Sequence, residues 1–370
     1  MKAILKKSPA FLLLFLLLSA LMLAQLLLPG RLYSENENKY LATLPQPTLR
    51  TLLGGSFADK YDSYVSDQLP ARDSWIGAKS FFEALLLKTE NNGVVYGEDG
   101  YLFSKFQSYD EAVLALNLQA ISQFAGKTAG GVTVLPVPSA YAVLHDKLPA
   151  AVPFADQAGP LGELAAALGS SCRVVNSFAA LSAHAQDYIY YRTDHHWTTL
   201  GAWYGYEALC GQLGLTPLPY LAEEAHSVDG FLGTCYSKCK KLGAQADTLC
   251  YFDNGSVITV GEAHYASIYD FTKLATRDKY STFLHGNAAK SVIECAGSGE
   301  RRGHLLIIKD SYADSLIPFL TAHYETITCI DPRYYPGSFS ELAAGEYDDI
   351  VVLFGFETLA AEVSVAKLGL

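Results

Sequence analysis

The sequence predicts an α/β protein, a doubly wound parallel sheet in an α/β/α sandwich, that follows one N-terminal transmembrane helix. Two observations lead to this prediction. Short apolar runs alternate with helical stretches, as expected for parallel strands that are buried on both faces and joined by helices. In addition, residues 9–28 read PAFLLLFLLLSALMLAQLLL, and about 20 apolar residues suffice to span a bilayer core as a helix.

The N-terminal segment predicts where the rest of the chain works. Lys2, Lys6 and Lys7 precede the apolar run, and positive charges tend to stay in the cytoplasm. We therefore expect a cytoplasmic tail over residues 1–8 and an uncleaved single-pass anchor over 9–29, with the rest of the chain outside the cytoplasm. A cleaved signal peptide is the alternative, although no small-residue cleavage site follows the run.

After the anchor, the sequence predicts a linker and one large domain. Residues 30–56 are polar and contain prolines, which indicates a linker. Residues 57–370 are predicted to form the catalytic domain. Helical spacing or capping signals predict helices over 57–88 with a break at Pro70, and over 111–124, 161–168 and 199–213. Turn signals predict a hairpin over 93–103, and apolar runs predict strands over 132–137, 172–175, 305–309, 326–330 and 350–354.

Composition excludes several kinds of function. The net charge is -11 and Lys and Arg do not cluster, so nucleic acid is not expected as a partner. Seven scattered cysteines do not form a small disulfide framework. Cys235 and Cys239 have a spacing that could serve a metal, but without a second ligand pair they are better interpreted as packed side chains, with room for one disulfide. Since nucleotide-binding motifs are also absent, we predict neither a cofactor nor a metal.

The first motif with chemical potential is YYRTDHHWTTLGAW at residues 190–203. Asp194 and His196 are two residues apart, so in an extended loop both side chains point to the same side, while His195 points away. A carboxylate beside an imidazole can orient it and stabilise its protonated form. A helix-capping Asp with two surface histidines is the plain alternative, and a metal site of two histidines and one Asp is another.

The second motif, HLLIIKDSYADSLIPFL at residues 304–320, runs from an apolar strand into Ser311. A helix is predicted from about Ala313, so Ser311 would lie where backbone N–H groups can stabilise an oxyanion. Serine needs a base to act as a nucleophile, and His196 can supply it. The alternative is that Ser311 only caps the helix.

A third, weaker motif is FLHGN at residues 283–287. Gly286 permits close backbone approach and Asn287 carries an amide donor, so together they could complete an oxyanion hole. A plain turn is the alternative, because Gly-Asn is common in turns. No Gly-x-Ser-x-Gly occurs, which excludes the usual α/β-hydrolase nucleophile turn.

The run Asp194-His195-His196-Trp197 resembles the signature of the bacterial DHHW family. Further blocks along the chain resemble that family too: ENENKYLATLP, YVSDQLPARDSWI, VVYGEDGYLF, FLGTCYSK, FLHGN, IIKDSYADSLIPFL and residues 331–334. The family is similar to the alginate O-acetyltransferase group, whose fold is SGNH-hydrolase-like. Two positions depart from the pattern that the resemblance leads us to expect: Asp314 stands where we expect Asn, and residues 136–139 read PVPS where we expect Pro-x-Lys.

The resemblance implies an extracytoplasmic O-acetyltransferase that acts on a cell-surface or exported polysaccharide. Asp194, His196 and Ser311 match the order of the triad in that group, in which the Asp-x-His pair precedes the serine. The acetyl donor is expected to come through a multi-spanning membrane O-acyltransferase. Gly286, Asn287, His195, Trp197, Tyr312 and Arg333 are expected to bind the oxyanion or the substrate. The alternatives are an acetyl esterase with the same triad and a non-catalytic, polysaccharide-binding envelope protein.

Overall fold

The computed structural model describes residues 9–150, 152–297 and 302–370. Their contacts divide the chain into two compact units. The first extends to Lys88 and includes Lys240–Leu242, and the second comprises Thr89–Cys239 and Gly243–Leu370. The sequence predicts that the catalytic domain begins at residue 57, and this boundary stays a prediction. The predicted cytoplasmic tail, residues 1–8, lies outside the described residues.

The first unit begins with the apolar helix α1, Pro9–Leu27. Its mean hydropathy is 2.6 and none of it is buried. Across the described ranges it is the one helix long and apolar enough to cross a membrane, a property that an N-terminal signal sequence shares.

The remainder of the first unit contains strands and helices, including within residues 30–56, which the sequence predicts to be a linker. Its elements are β1 (Tyr33–Ser34), β2 (Lys39–Tyr40), α2 (Leu49–Leu53), α3 (Ser56–Asp67) and α4 (Arg72–Leu85). The Arg72 guanidinium binds the Glu37 carboxylate, with Nε 2.6 Å from Oε2, and Leu41 is buried. Charge pairing thus lets a polar segment pack. The predicted break at Pro70 is confirmed, because α3 and α4 are separate helices.

The second unit holds the remaining strands and helices. Its strands are β3 (Glu90–Asn91), β4 (Val94–Tyr96), β5 (Leu102–Ser104), β6 (Val132–Val137), β7 (Cys172–Val174), β8 (His226–Phe231), β9 (Asp247–Tyr251), β10 (Val257–Val260), β11 (Ala263–Tyr265), β12 (Lys290–Glu294), β13 (Arg302–Lys309), β14 (Tyr324–Ile330) and β15 (Asp349–Gly355). Its α-helices are α5 (Glu111–Lys127), α6 (Ala140–Val143), α7 (Ala158–Leu168), α8 (Ser177–Ser182), α9 (Thr199–Leu213), α10 (Thr234–Cys239), α11 (Ile317–Leu320), α12 (Phe339–Ala343) and α13 (Phe356–Ala361).

An eight-stranded sheet organises this unit, in the order β11-β10-β12-β14-β13-β15-β6-β7. The strands from β14 to β7 run parallel to one another. Strands β12, β10 and β11 extend the sheet in antiparallel fashion. The predicted parallel sheet is therefore confirmed, and the antiparallel extension was not predicted.

Two hydrophobic cores cover the two faces of this sheet. Along β13, Leu305 and Ile307 pack in one core together with residues of α9. Leu306 and Ile308 pack in the other core with residues of α5 and α7. Because alternate residues of a strand point to opposite faces, helices lie on both sides of the sheet. The predicted α/β/α sandwich is confirmed.

The cysteines are packed side chains, as predicted. All seven lie within the described residues, none of them is in a disulfide, and five of them are buried. Cys235 and Cys239 both lie in the small cluster that they form with Val94 and Leu102.

Candidate active site

Ser311 lies at the carboxyl end of β13, on the edge of the sheet where parallel α/β proteins bind ligands. The expected helix is a short 3₁₀ turn over Ser311–Ser315, followed by the four-residue α11. Asp310 fixes this turn. Its Oδ1 accepts the Tyr312 N–H at 3.0 Å, and its Oδ2 accepts the Gly355 N–H at 2.9 Å. The nucleophile candidate is thus attached to the end of the neighbouring strand β15.

The structure brings Asp194, His196 and Ser311 together in one hydrogen-bonded line. His196 Nδ1 lies 2.6 Å from Asp194 Oδ1. His196 Nε2 lies 2.8 Å from the Ser311 hydroxyl oxygen. Both distances suit a carboxylate that orients an imidazole and an imidazole that accepts the hydroxyl proton. Asp194 and His196 are buried, whereas Ser311 is partly exposed.

Asp194 is held as a buried carboxylate by four donors. Oδ1 accepts the backbone N–H and the ring Nδ1–H of His196, and Oδ2 accepts the backbone N–H and the hydroxyl of Thr234 at 2.7 and 2.9 Å. Burial alone would raise the pKa of Asp194, but the two adjacent histidines and these hydrogen bonds outweigh it and hold the pKa well below its usual range. Asp194 is therefore ionised at neutral pH.

Tyr280 forms one wall of the site. Its ring stacks on the His196 ring, with centroids 3.8 Å apart and planes within 5° of parallel. Its hydroxyl donates to the Ser311 carbonyl oxygen at 2.9 Å. The aromatic face favours a positive charge on the imidazole, and the same residue fixes the backbone of the nucleophile turn.

Ser311 opens into a cleft of about 260 Å³. Of the expected substrate-binding residues, His195, Tyr312 and Arg333 line this cleft. The Arg333 guanidinium is oriented by Asp331, with Nε 2.9 Å from Oδ1 and Nη2 2.6 Å from Oδ2. The other residues that line the cleft are Phe106, Asp310, Gly355, Glu357, Thr358, Ala361 and Glu362.

Three expected residues do not reach the cleft. Trp197 is completely buried, and its indole N–H donates to the Tyr312 carbonyl at 2.9 Å, so it supports the nucleophile turn instead of contacting a substrate. Gly286 has a φ of 79° and its N–H already binds the Phe283 carbonyl, which makes it part of a turn. Asn287 lies near the Lys309 ammonium, at 3.5 Å. These contacts do not support the expected oxyanion role of Gly286 and Asn287, and that role stays a prediction.

Asp314, the unexpected acid in the nucleophile motif, pairs with Lys309. The Lys309 Nζ is 2.5 Å from Asp314 Oδ1, and both side chains are buried. Burial raises the pKa of Asp314 to about 6, against the opposing effect of the Lys309 charge. The ion pair links the last residue of β13 to the 3₁₀ turn that begins at Ser311. Asp314, which stands where Asn is expected, therefore gives the buried Lys309 a charged partner.

The alternative of a metal site rests on Asp194, His195 and His196, whose ligand atoms lie within 4.8 Å of one another. In the structure these atoms have other partners. Both histidine Nδ1 atoms are hydrogen-bonded, one to Asp194 and the other to the Thr234 hydroxyl at 2.7 Å. His196 Nε2 meets Ser311. The hydrogen-bond pattern thus fits a triad better than a metal ligand set.

The sequence profile described as DHHW protein matches residues 88–330, which is more than half of the chain. The chain belongs to the DHHW family. A solved DHHW family protein from Eubacterium siraeum is 26% identical with a TM-score of 0.64, over 75% of this chain and 95% of that one. No curated protein sequence matches the chain.

Two further solved structures resemble this DHHW protein. Bacillus cereus PatB1 with a sulfonyl adduct is 17% identical with a TM-score of 0.58, over 73% of this chain and 97% of PatB1. The O-acetyltransferase domain of Pseudomonas putida AlgJ is 18% identical over 75% of this chain and 98% of that domain, but its TM-score is only 0.46. The likeness to the Eubacterium siraeum protein and to PatB1 agrees with the α/β/α sandwich described above.

Sequence reasoning missed several residues of the site. Thr234 and Gly233 lie in the FLGTCYSK block, which carries the family resemblance, but neither residue suggests chemistry by itself. Tyr280 lies three residues before the FLHGN motif and belongs to none of the motifs described above. The only sequence signal for Thr234 is that it lies in a block that resembles the family. We find no sequence signal for Tyr280.

Proposed function

We propose that this DHHW protein is an extracytoplasmic serine O-acetyltransferase that acetylates a cell-surface or exported polysaccharide. The observation that carries the proposal is the continuous hydrogen-bonded line from Asp194 through His196 to Ser311. Such a line activates a hydroxyl for acyl transfer, and its serine faces an open cleft. The acetyl group and the polysaccharide are proposed from the sequence resemblance.

In the acylation step, Ser311 Oγ attacks the carbonyl carbon of an acetyl donor while its proton passes to His196 Nε2. The bond from the carbonyl carbon to the donor's leaving group breaks, and the leaving group takes the proton from His196. Asp194 stabilises the imidazolium that forms in between, and Tyr280 stacks against it. General-base assistance of this kind contributes about 10²–10⁴ in rate.

The Ser311 backbone N–H is the best candidate for an oxyanion donor. Within the described ranges it has no hydrogen-bond acceptor, whereas the N–H groups of Tyr312, Ala313 and Gly355 are all taken. One such donor is worth about 10²–10³ in rate. In the second step an acceptor hydroxyl attacks the acetyl-serine, its proton moves to His196, and Ser311 leaves and recovers that proton.

The location and partners of the enzyme are part of the same proposal. Helix α1 supports a single-pass anchor in the cell membrane, with the catalytic domain outside the cytoplasm. We propose that a multi-spanning membrane O-acyltransferase supplies the acetyl group. PatB1 has been captured with a sulfonyl adduct, and sulfonyl groups react with activated nucleophiles, which is consistent with acyl chemistry on this fold.

The test is acetyl transfer by the full-length protein in detergent micelles. The protein is mixed with 4-nitrophenyl acetate and soluble polysaccharides, and ester-linked acetate on the recovered polymer is measured. We expect transfer by the natural protein and none by Ser311→Ala, while Ser340→Ala, which alters an exposed serine, retains activity.

Two results would decide for the alternatives. Release of free acetate with no acetylated polymer, across all acceptors, would indicate an esterase. If Ser311→Ala binds polysaccharide as well as the natural protein does, and neither protein is acylated, the protein has a non-catalytic binding role.

A further inference from the structure

His195 has no part in the mechanism above, yet it lies in the cleft beside His196. The two ring centroids are 3.8 Å apart, and 38% of the His195 side chain is exposed. Its Nδ1 is 2.7 Å from the Thr234 hydroxyl oxygen. The Tyr312 hydroxyl holds its backbone carbonyl at 2.7 Å. The imidazole is therefore fixed in place at the edge of the nucleophile's cleft.

The hydrogen bonds determine which His195 nitrogen carries the proton. Asp194 is ionised and can only accept, so the single hydroxyl proton of Thr234 is donated to Asp194 Oδ2. The Thr234 oxygen must then accept from His195, which requires a proton on Nδ1. Burial is the main cause that lowers the pKa of His195 to about 3, and repulsion from His196 acts in the same direction whenever that ring carries the transferred proton. With a pKa below 7 the ring is neutral at pH 7, with a bare lone pair on Nε2.

The geometry also determines where this lone pair points. The Nδ1 atoms of His195 and His196 lie 3.6 and 2.6 Å from the same oxygen, Asp194 Oδ1. The opposite edges of both rings therefore face away from Asp194. At that edge His196 Nε2 meets Ser311, and His195 and Ser311 line the same cleft. Within the described part of the chain, His195 Nε2 has no hydrogen-bond partner.

We propose that His195 Nε2 accepts a hydrogen bond from a second hydroxyl of the acceptor, adjacent to the hydroxyl that attacks the acetyl-serine. The acceptor class is then a vicinal diol, such as neighbouring ring hydroxyls of a sugar. This inference rests on the proposed function. The attacking hydroxyl still gives its proton to His196, the bond from the acetyl carbon to Ser311 Oγ still breaks, and His195 neither gains nor loses a proton.

The test compares two acceptors that differ by one hydroxyl, trans-1,2-cyclohexanediol and cyclohexanol. Full-length protein in micelles receives 4-nitrophenyl acetate, and the kcat/KM of acetyl transfer is measured for each acceptor. One neutral hydrogen bond contributes about 0.5–1.5 kcal/mol, so we expect the natural protein to prefer the diol by about 2- to 10-fold, beyond the statistical factor of having a second hydroxyl.

Two variants isolate the nitrogen concerned. His195→Asn can keep a donor near the Nδ1 position but has no acceptor at the Nε2 position, so it should lose the preference. His195→Gln places an amide at the Nε2 position and should keep part of it. His264→Asn, the same substitution at an exposed histidine, serves as the control.

Equal use of the two acceptors by the natural protein, or an undiminished diol preference in His195→Asn, would overturn the inference. The initial burst of 4-nitrophenolate reports acylation of Ser311 separately. If the burst occurs without a diol preference, only the role of His195 is wrong. If neither burst nor transfer occurs, the proposed function itself fails.

Discussion

The glycine that precedes Thr234 offers a sharp test of how Asp194 is positioned. Gly233 lies between β8 and α10, directly against the carboxylate. A Cβ built at this position would be 2.3 Å from both Asp194 Cβ and Asp194 Oδ2. Favourable carbon–carbon contacts are about 3.5–4.0 Å, so Gly233→Ala must displace one partner by about 1 Å or more.

The expected cost follows from this displacement. Asp194 has four hydrogen bonds, and moving it changes the orientation of His196 relative to Ser311. A misplacement of about 1 Å in a catalytic group can reduce a rate about 10²-fold. We therefore expect kcat for hydrolysis of 4-nitrophenyl acetate to fall at least about 100-fold. The overpacking should also cost about 1–3 kcal/mol of unfolding free energy.

The assay pairs this variant with Gly211→Ala. Gly211 is an exposed residue of helix α9, and a Cβ there meets nothing within 4 Å. Alanine in a helix is better than glycine by about 1 kcal/mol, so this control should be fully active and slightly more stable. If Gly233→Ala is folded by circular dichroism and hydrolyses the ester within threefold of the natural rate, the reasoning about Asp194 is refuted.

Three further predictions concern the same site. Asp194→Asn should reduce the rate of Ser311 acylation by about 10³–10⁴, because the imidazole loses its orienting carboxylate; a loss below about tenfold in stopped-flow measurements would argue against a triad. Incubation with a chelator, followed by gel filtration, should leave ester hydrolysis unchanged, and a loss that zinc restores would favour the metal alternative. His195 binds its proton near pH 6.5 when unfolded but only near pH 3 when folded, so the unfolded chain holds more protons in between and stability falls as the pH drops below 6.5. Between about pH 7 and about pH 5 the full shift gives about 2 kcal/mol, which we reduce to about 1 kcal/mol because the side chain is partly in solvent. His195→Asn should remove that part of the pH dependence in urea titrations, and identical slopes for both proteins would count against the assignment.

The parallel part of the sheet could be predicted because its strands carry their own signal. All six residues of β6 are buried, and all seven residues of β15 are buried, and both strands consist mainly of apolar residues. The antiparallel extension has no such signal. All three residues of β11 are exposed, and β12 alternates between buried and exposed residues, so these strands depend on their neighbours for pairing.

The candidate site could be predicted in part for a similar reason. Asp194 and His196 are only two residues apart in sequence, and Ser311 follows a recognisable strand, so the local pattern suggests the triad. Thr234 is forty residues from Asp194, and a threonine gains its role only where folding brings it to a carboxylate. The prediction for Gly286 finds no support in the structure, because a glycine that permits close approach also suits an ordinary turn, and its N–H is used within that turn.

The most direct test of the triad is to find where an acetyl group attaches. Full-length protein is mixed with 4-nitrophenyl acetate, quenched in acid within the burst phase, and analysed by intact and peptide mass spectrometry. We predict one added acetyl group, located on Ser311, and none in Ser311→Ala. An unmodified Ser311 peptide, or an acetyl group on another residue that Ser311→Ala still acquires, would contradict the proposal that Asp194, His196 and Ser311 form an acyl-transfer site.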